Sequence, residues 1–190
     1  MMRLCPKKTS TKKALSPREQ QLLDRILRVD QAGEYGAKRI YQGQLDVLRK
    51  RGAPKKEIAK IEHMAAQEEE HLSAFNDEIA AMQSRPSALQ PLWHIAGYAV
   101  GAASALLGAK AAHACTVAVE EVIDQHYARQ EKELANYPRL LKMVQKFRAE
   151  ENEHKDMALA SGAEDVPGYR VLKRAVATGS KLSIWLAERF

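Results

Sequence analysis

Apolar positions recur along this chain at steps of three and four residues, and no segment alternates in the manner of a strand. The pattern predicts an all-α protein. A first helix opens at Ser16-Pro17-Arg18-Glu19, where an N-cap serine, a proline at the first helical position and a capping-box glutamate coincide. It is expected to run to about Arg51, where Gly52-Ala53-Pro54 stops it. A second helix is expected from about Lys55 to Ser84, closed by Arg85-Pro86, and the stretch from Pro86 to Trp93 reads as a connection. Two more are expected from about Lys110 to Asn136 and from Arg139 to Ala160, separated at Pro138. A last amphipathic helix follows Pro167-Gly168.

Between these lies an uncharged segment, Ile95 to Ala109, rich in Ala, Gly and Leu. As a helix its fifteen residues would extend roughly 22 Å, short of the ~30 Å hydrocarbon core of a bilayer. It is expected either to be buried or to lie in a membrane interface. The second option gains from the C-terminal helix. Trp93, Ile95, Leu106 and Leu107, with Tyr169, Leu172, Val176, Leu182, Ile184, Trp185 and Phe190, would form an apolar surface with aromatic edges. Lys173, Arg174 and Lys181 would suit anionic headgroups beside it.

The candidate chemistry lies in an internal repeat. Glu34 is followed by Glu68-Glu69-Glu70-His71, and Glu120 by Glu151-Asn152-Glu153-His154. Each half offers a lone glutamate on one helix and a Glu-x-x-His on the next, a duplicated helical hairpin. Residues three apart share a helix face, so each Glu-x-x-His aims a carboxylate and an imidazole at one point. Ile61, Met64, Glu68, His71, Phe75, Ile79 and Met82 form one stripe. Leu140, Val144, Phe147, Glu151, His154 and Ala158 form another, and Glu34 falls in the row Leu23, Leu27, Ala37, Tyr41, Leu45 and Leu48. Ionisable groups on core stripes are costly unless paired or bound to metal. A solvated face accounts for Glu69, Glu70, Glu150 and Glu153; it does not account for the six striped residues. Four carboxylates and two imidazoles suit iron or manganese, in the arrangement of ferritin-like di-metal carboxylate bundles. Periodicity barely separates Glu120 from Glu121; sharing a face with Val117, Ile123 and Tyr127 slightly favours Glu120.

Composition narrows the alternatives. With 190 residues and 45% hydrophobic content the chain suits one domain with a real core, and neither disorder nor a string of membrane spans. The net charge of +6 invites a nucleic-acid reading, but Arg3, Lys7, Lys8, Lys12 and Lys13 supply nearly all of the excess. Residues 1–13 therefore read as a basic, disordered arm ahead of a single domain at 14–190, and no nucleic-acid partner is expected. Such an arm could also rest on anionic lipid. No apolar leader marks the chain for secretion, and whether the arm is a remnant of an organellar transit peptide stays open. Cys5 and Cys115 show neither metal spacing nor a disulfide framework, and Cys115 reads as a buried, inert thiol.

Asp30-Gln31-Ala32-Gly33-Glu34-Tyr35-Gly36-Ala37, the run Cys115-Thr116-Val117-Ala118-Val119-Glu120-Glu121 and both Glu-x-x-His motifs resemble the demethoxyubiquinone hydroxylase family, from about Leu22 to Phe190. The resemblance implies a ferritin-like four-helix bundle with two additional apolar or amphipathic helices, holding two ferrous ions on Glu34, Glu68, His71, Glu120, Glu151 and His154. It implies a monooxygenase of ubiquinone biosynthesis acting on demethoxyubiquinol and O2, with NADH as ultimate reductant, although no Gly-rich dinucleotide fingerprint is present. It implies a peripheral membrane protein, on the cytoplasmic face of a bacterial inner membrane or the matrix face of the mitochondrial one. A homo-oligomer or an accessory lipid-binding partner protein is left open. A His-Tyr pair of the family matches His126 and Tyr127, either a partly buried polar pair or a relay near the quinone. Asp30, one turn before Glu34, would orient a ligand histidine or lie on the helix surface. The rival readings are iron storage, as in ferritins, and quinol oxidation; a rubrerythrin-like peroxidase would add a Cys-x-x-Cys site that the sequence lacks.

Overall fold

The computed structural model describes residues 15–190, so the basic arm and Cys5 lie outside the described residues. Six helices follow in order: α1 (Pro17–Lys50), α2 (Lys55–Ala81), α3 (Gln90–Leu106), α4 (Ala109–Glu133), α5 (Pro138–Ala160) and α6 (Tyr169–Ala187). Among the described residues there is no strand. The capping box at Ser16 forms as expected: its hydroxyl accepts from Glu19 N–H at 3.3 Å, and its own N–H donates to Glu19 at 2.7 Å. Gly52, at φ +67, turns the chain out of α1.

Several boundaries differ from the pattern: α4, for one, ends at Glu133 rather than Asn136. α2 stops at Ala81 because Gln83 takes φ +53, and Ser84 N–H closes back on Ile79 O at 2.9 Å in a Schellman turn. α3 begins at Gln90 rather than after Trp93. Pro91 falls in its first turn, where the missing N–H leaves no hydrogen bond unmade, so the second proline starts the helix instead of interrupting it.

α1 pairs with α2 and α4 with α5, the two hairpins of the repeat, and these four helices make the bundle. α3 lies along α1, and α6 along α4. Small residues let α3 ride directly on α1. A Cβ added at Gly101 would sit 1.9 Å from Ile40 O, and one at Gly43 would sit 2.3 Å from Tyr98 O. The uncharged segment is thus neither wholly buried nor wholly exposed: one face packs on α1 and the other is open. Leu27, Phe75, Leu134, Val144 and Phe147 fill one end of the bundle, and Tyr41, Leu48, Ile61 and Met64 the other. Burying each such side chain contributes about 1.5–3 kcal/mol. Arg28 donates to the carbonyls of Ala187 and Glu188, both at 2.9 Å, so a cation closes the C-terminal end of α6.

Candidate metal centre

Between the two apolar clusters the four bundle helices each contribute a glutamate, and α2 and α5 add a histidine. Glu34, Glu68, His71 and Glu151 form one group, and Glu68, Glu120, Glu151 and His154 the other; within each group one donor atom per residue lies within 4.8 Å of the rest. Glu68 and Glu151 are common to both groups. All six side chains are buried. The structure therefore brings together all six residues singled out by the repeat. It also separates Glu120, which is buried, from Glu121, which turns outward to pair with Lys173 at 2.6 Å.

The electrostatics suit cations. Burial, with the neighbouring carboxylates, pushes Glu68 and Glu120 well above the usual carboxylate range. Burial would raise Glu151 too, but hydrogen bonds from His154 and His71 outweigh it and hold it at about 2. Burial opposes the charge on His71, yet Glu151 and Glu34 raise it to about 10. Both carboxylate oxygens of Glu68 are buried without a hydrogen-bond partner. Buried polar atoms are rarely left so. Two divalent ions would neutralise the four carboxylates and give the Glu68 oxygens their partners, so the residues fit the group.

His71 and His154 both direct Nδ1 at the cluster, 3.1 and 2.9 Å from Glu151. Their Nε2 atoms meet Glu150 at 2.9 Å and Gln67 at 3.0 Å. Glu150 is therefore not simply part of a solvated face, as its sequence position suggested. Its carboxylate reaches from α5 across to the α2 histidine, and only the relative placement of two helices reveals this.

Asp30 orients neither ligand histidine. It is buried, 3.3 Å from His126 Nε2 and 2.7 Å from Gln130 Nε2, and the surface alternative fails as well. Burial raises the Asp30 carboxyl, partly offset by His126. His126 is itself buried, and the Tyr127 hydroxyl donates to Glu34 at 2.5 Å. Tyr41, an apolar-row residue by pattern, donates to Glu120 at 3.2 Å. Cys115 is buried and its thiol is pushed up to about 12 by desolvation, as suits an inert group.

An apolar cavity of about 570 Å³ is walled by α1, α3, α4 and α6. Ala37, Ile40 and Val119 line it and also line a tight void bordered by Tyr41 and Glu120. Leu92, Val100, Leu107 and Leu182 line it and are exposed, so it opens among surface apolar residues. The expected apolar surface is thus partly redrawn. Trp93 is only 6% exposed, with Leu172, Val176 and Ile184 half-buried, whereas Ile95 (69%), Leu107 (71%), Val171 (74%), Trp185 and Phe190 face outward. Trp93 turns in, and its indole N–H reaches Ser87 at 3.3 Å. Lys173 is taken up by Glu121. Among the described residues no helix is long and apolar enough to cross a membrane.

Paired carboxylate–histidine groups at the centre of a four-helix bundle define the ferritin-like class of di-metal carboxylate proteins. Within that class the chain belongs to the family described as ubiquinone biosynthesis protein COQ7, whose model matches residues 21–187. The chain is 51% identical to the 3-demethoxyubiquinol 3-hydroxylase of Rhodospirillum rubrum, over 91% of this chain and 81% of the relative. It is 47% identical to the mitochondrial NADPH-dependent 3-demethoxyubiquinone 3-hydroxylase of Bos taurus, over 89% and 78%. It is 39% identical to the mitochondrial 5-demethoxyubiquinone hydroxylase of Saccharomyces cerevisiae, over 92% and 81%. The resemblance drawn from the motifs is to this same family.

Proposed function

We propose that this chain is a 3-demethoxyubiquinol 3-hydroxylase, a monooxygenase of ubiquinone biosynthesis that inserts one atom of O2 into the quinol ring. Glu34, Glu68, His71, Glu120, Glu151 and His154 would hold two iron ions, a choice supported by the mixed oxygen and nitrogen donor set. Family membership and the names of the relatives support the reaction. The observation in the structure that carries it is the apolar cavity of about 570 Å³ between α1, α3, α4 and α6, whose Ala37, Ile40 and Val119 also border the void at Glu120. An isoprenoid tail is a run of apolar carbons and matches that lining; an iron-storage protein has no use for such a cavity.

Two ferrous ions in this donor set would supply the redox chemistry that activates O2. The chain's own residues do the rest. The buried bundle keeps water from the reacting centre. Ala37, Ile40 and Val119 form the wall shared by the cavity and the tight void at Glu120. Tyr127 donates its hydroxyl proton to the Glu34 carboxylate and the Asp30–His126–Gln130 cluster lies next to it, contacts that support a charge-relay role for Tyr127 and His126. The second oxygen atom leaves as water, which takes two electrons and two protons. A reduced nicotinamide supplies the electrons; the names of the animal relatives specify NADPH, where the sequence resemblance implied NADH.

The exposed apolar side chains of α3 and α6 around the cavity mouth support peripheral attachment to a membrane that stores the quinol. The mitochondrial names of the eukaryotic relatives are consistent with the matrix face of the inner membrane, the cytoplasmic face of a bacterial membrane being its equivalent. Reaction of the iron-loaded, reduced protein with a demethoxyubiquinol analogue under isotopically labelled O2 tests the assignment. Label is expected in the new ring hydroxyl; label only in water, with the quinol oxidised to quinone, would make the protein a quinol oxidase.

A further inference from the structure

A ligand histidine is held by the hydrogen bond that its other ring nitrogen makes, and the acceptor there sets both the orientation and the basicity of the ring. In this chain the two acceptors differ. His71 Nε2 meets the Glu150 carboxylate at 2.9 Å, whereas His154 Nε2 meets the Gln67 amide oxygen at 3.0 Å. With each Nδ1 facing the cluster and given to a metal ion, Nε2 would be the nitrogen left to carry the proton and donate. The pairing follows the internal repeat. Gln67 stands directly before Glu68 and Glu150 directly before Glu151, and each reaches across to the histidine of the opposite half. One position of a duplicated unit thus carries an amide in the first half and a carboxylate in the second.

We propose that Glu150 is a positioning residue for His71 whose charge makes the two metal positions unequal, the position bounded by Glu34, Glu68, His71 and Glu151 filling first. This rests on the reading of the cluster as a di-metal centre. A carboxylate draws the Nε2 proton toward itself and leaves more electron density on Nδ1 than an amide oxygen does. Phe147, also from α5, stacks on the His71 ring at 4.1 Å between centroids, so one helix fixes the ring by face and by edge. Lys146 Nζ lies 3.3 Å from the other Glu150 oxygen, but it is more than half exposed and solvent screens it. An ion held at His71 would also be the more readily oxidised of the two, because the stronger donor favours the higher charge.

The test is an anaerobic Co2+ titration followed by visible absorption, on the wild type, Glu150→Gln and Gln67→Glu, with helical circular dichroism confirming the fold of each. The wild type is expected to take two ions in resolved steps. Glu150→Gln should weaken the first step by about 10–100-fold, so that the steps merge. Gln67→Glu should strengthen the second step and leave the first in place. With 57Fe2+, Mössbauer spectra should show two ferrous doublets in the wild type that converge in either variant. Two ions bound by Glu150→Gln with wild-type constants would overturn the role of Glu150 and leave the metal centre standing. Should Glu150→Gln fail to fold, an unchanged second step in Gln67→Glu overturns it instead. A wild type that binds fewer than two ions overturns the centre and this assignment together.

Discussion

Replacing Gly101 with alanine asks whether α3 is held on the bundle by backbone-to-backbone contact. The added methyl carbon would lie 1.9 Å from Ile40 O, 2.7 Å from its carbonyl carbon and 2.9 Å from its Cα. All three obstacles are backbone, so no rotamer change relieves them. Restoring ordinary van der Waals separation in a close-packed interior moves α3 outward by about 1 Å or more. Overpacking of this kind costs about 1–3 kcal/mol. The better helix propensity of alanine offsets up to about 1 kcal/mol of that. A net loss of about 1–2 kcal/mol lowers Tm by about 2–8 °C in a domain of this size. Gly33→Ala is the internal control. It lies on α1, with nothing within 4 Å of the added carbon, so only helix propensity acts and Tm should hold or rise slightly. Calorimetric melts of both variants beside the wild type read the difference. Because Ile40 also walls the cavity, Gly101→Ala should raise KM for a long-tailed quinol more than it lowers kcat. A Gly101→Ala protein melting at or above the wild-type temperature would refute the close approach of α1 and α3.

Glu68→Ala and Glu151→Ala should lose bound iron and activity while helical content survives, and Glu69→Ala, on the exposed face of α2, should keep both; equal iron content in all three would contradict the ligand assignment. Chelated, metal-free protein should lose stability as pH rises from about 6.5 toward 10, because His71 is raised to about 10 in the fold and Glu68 and Glu120 are raised as well. Each extra proton held by the native state is worth about 1.4 kcal/mol per pH unit across its window, and metal loading should flatten the trend; a Tm that climbs over this range would refute it. At the acid end Glu151, held at about 2, contributes stability above the ordinary carboxylate pKa that fades as pH falls toward 2. Liposome co-sedimentation should be weakened by Leu107→Glu and Trp185→Glu, both outward-facing, and absence of wild-type binding with or without anionic lipid would reject the membrane surface.

The sequence alone determined the helices of the bundle and the six residues gathered at its centre. Helical periodicity is a local property, and a glutamate or histidine lying in an apolar stripe announces its inward face without knowledge of any neighbour. The stripe on α5 shows this well, since its six pattern residues are the ones buried there. Where two adjacent residues compete, periodicity fades: it favoured Glu120 over Glu121 only slightly and the family resemblance named Glu120, while the structure buries Glu120 and pairs Glu121 with Lys173 of α6. The rest belonged to the tertiary structure. α1 buries a wider face than one stripe because α3 rides on its glycines, an approach set by two backbones rather than by either pattern. The cavity exists only as the space between four helices, and Trp93 turns inward where Val29 and Ala32 of α1 and Ala187 of α6 receive it. Glu150 and Asp30 carry the same lesson: each sits where a solvated or ligand-orienting role was natural, and each found its partner on another helix, His71 for one and His126 for the other. A pattern along one helix reports which side faces in; what a side chain meets there depends on how the helices are placed against one another.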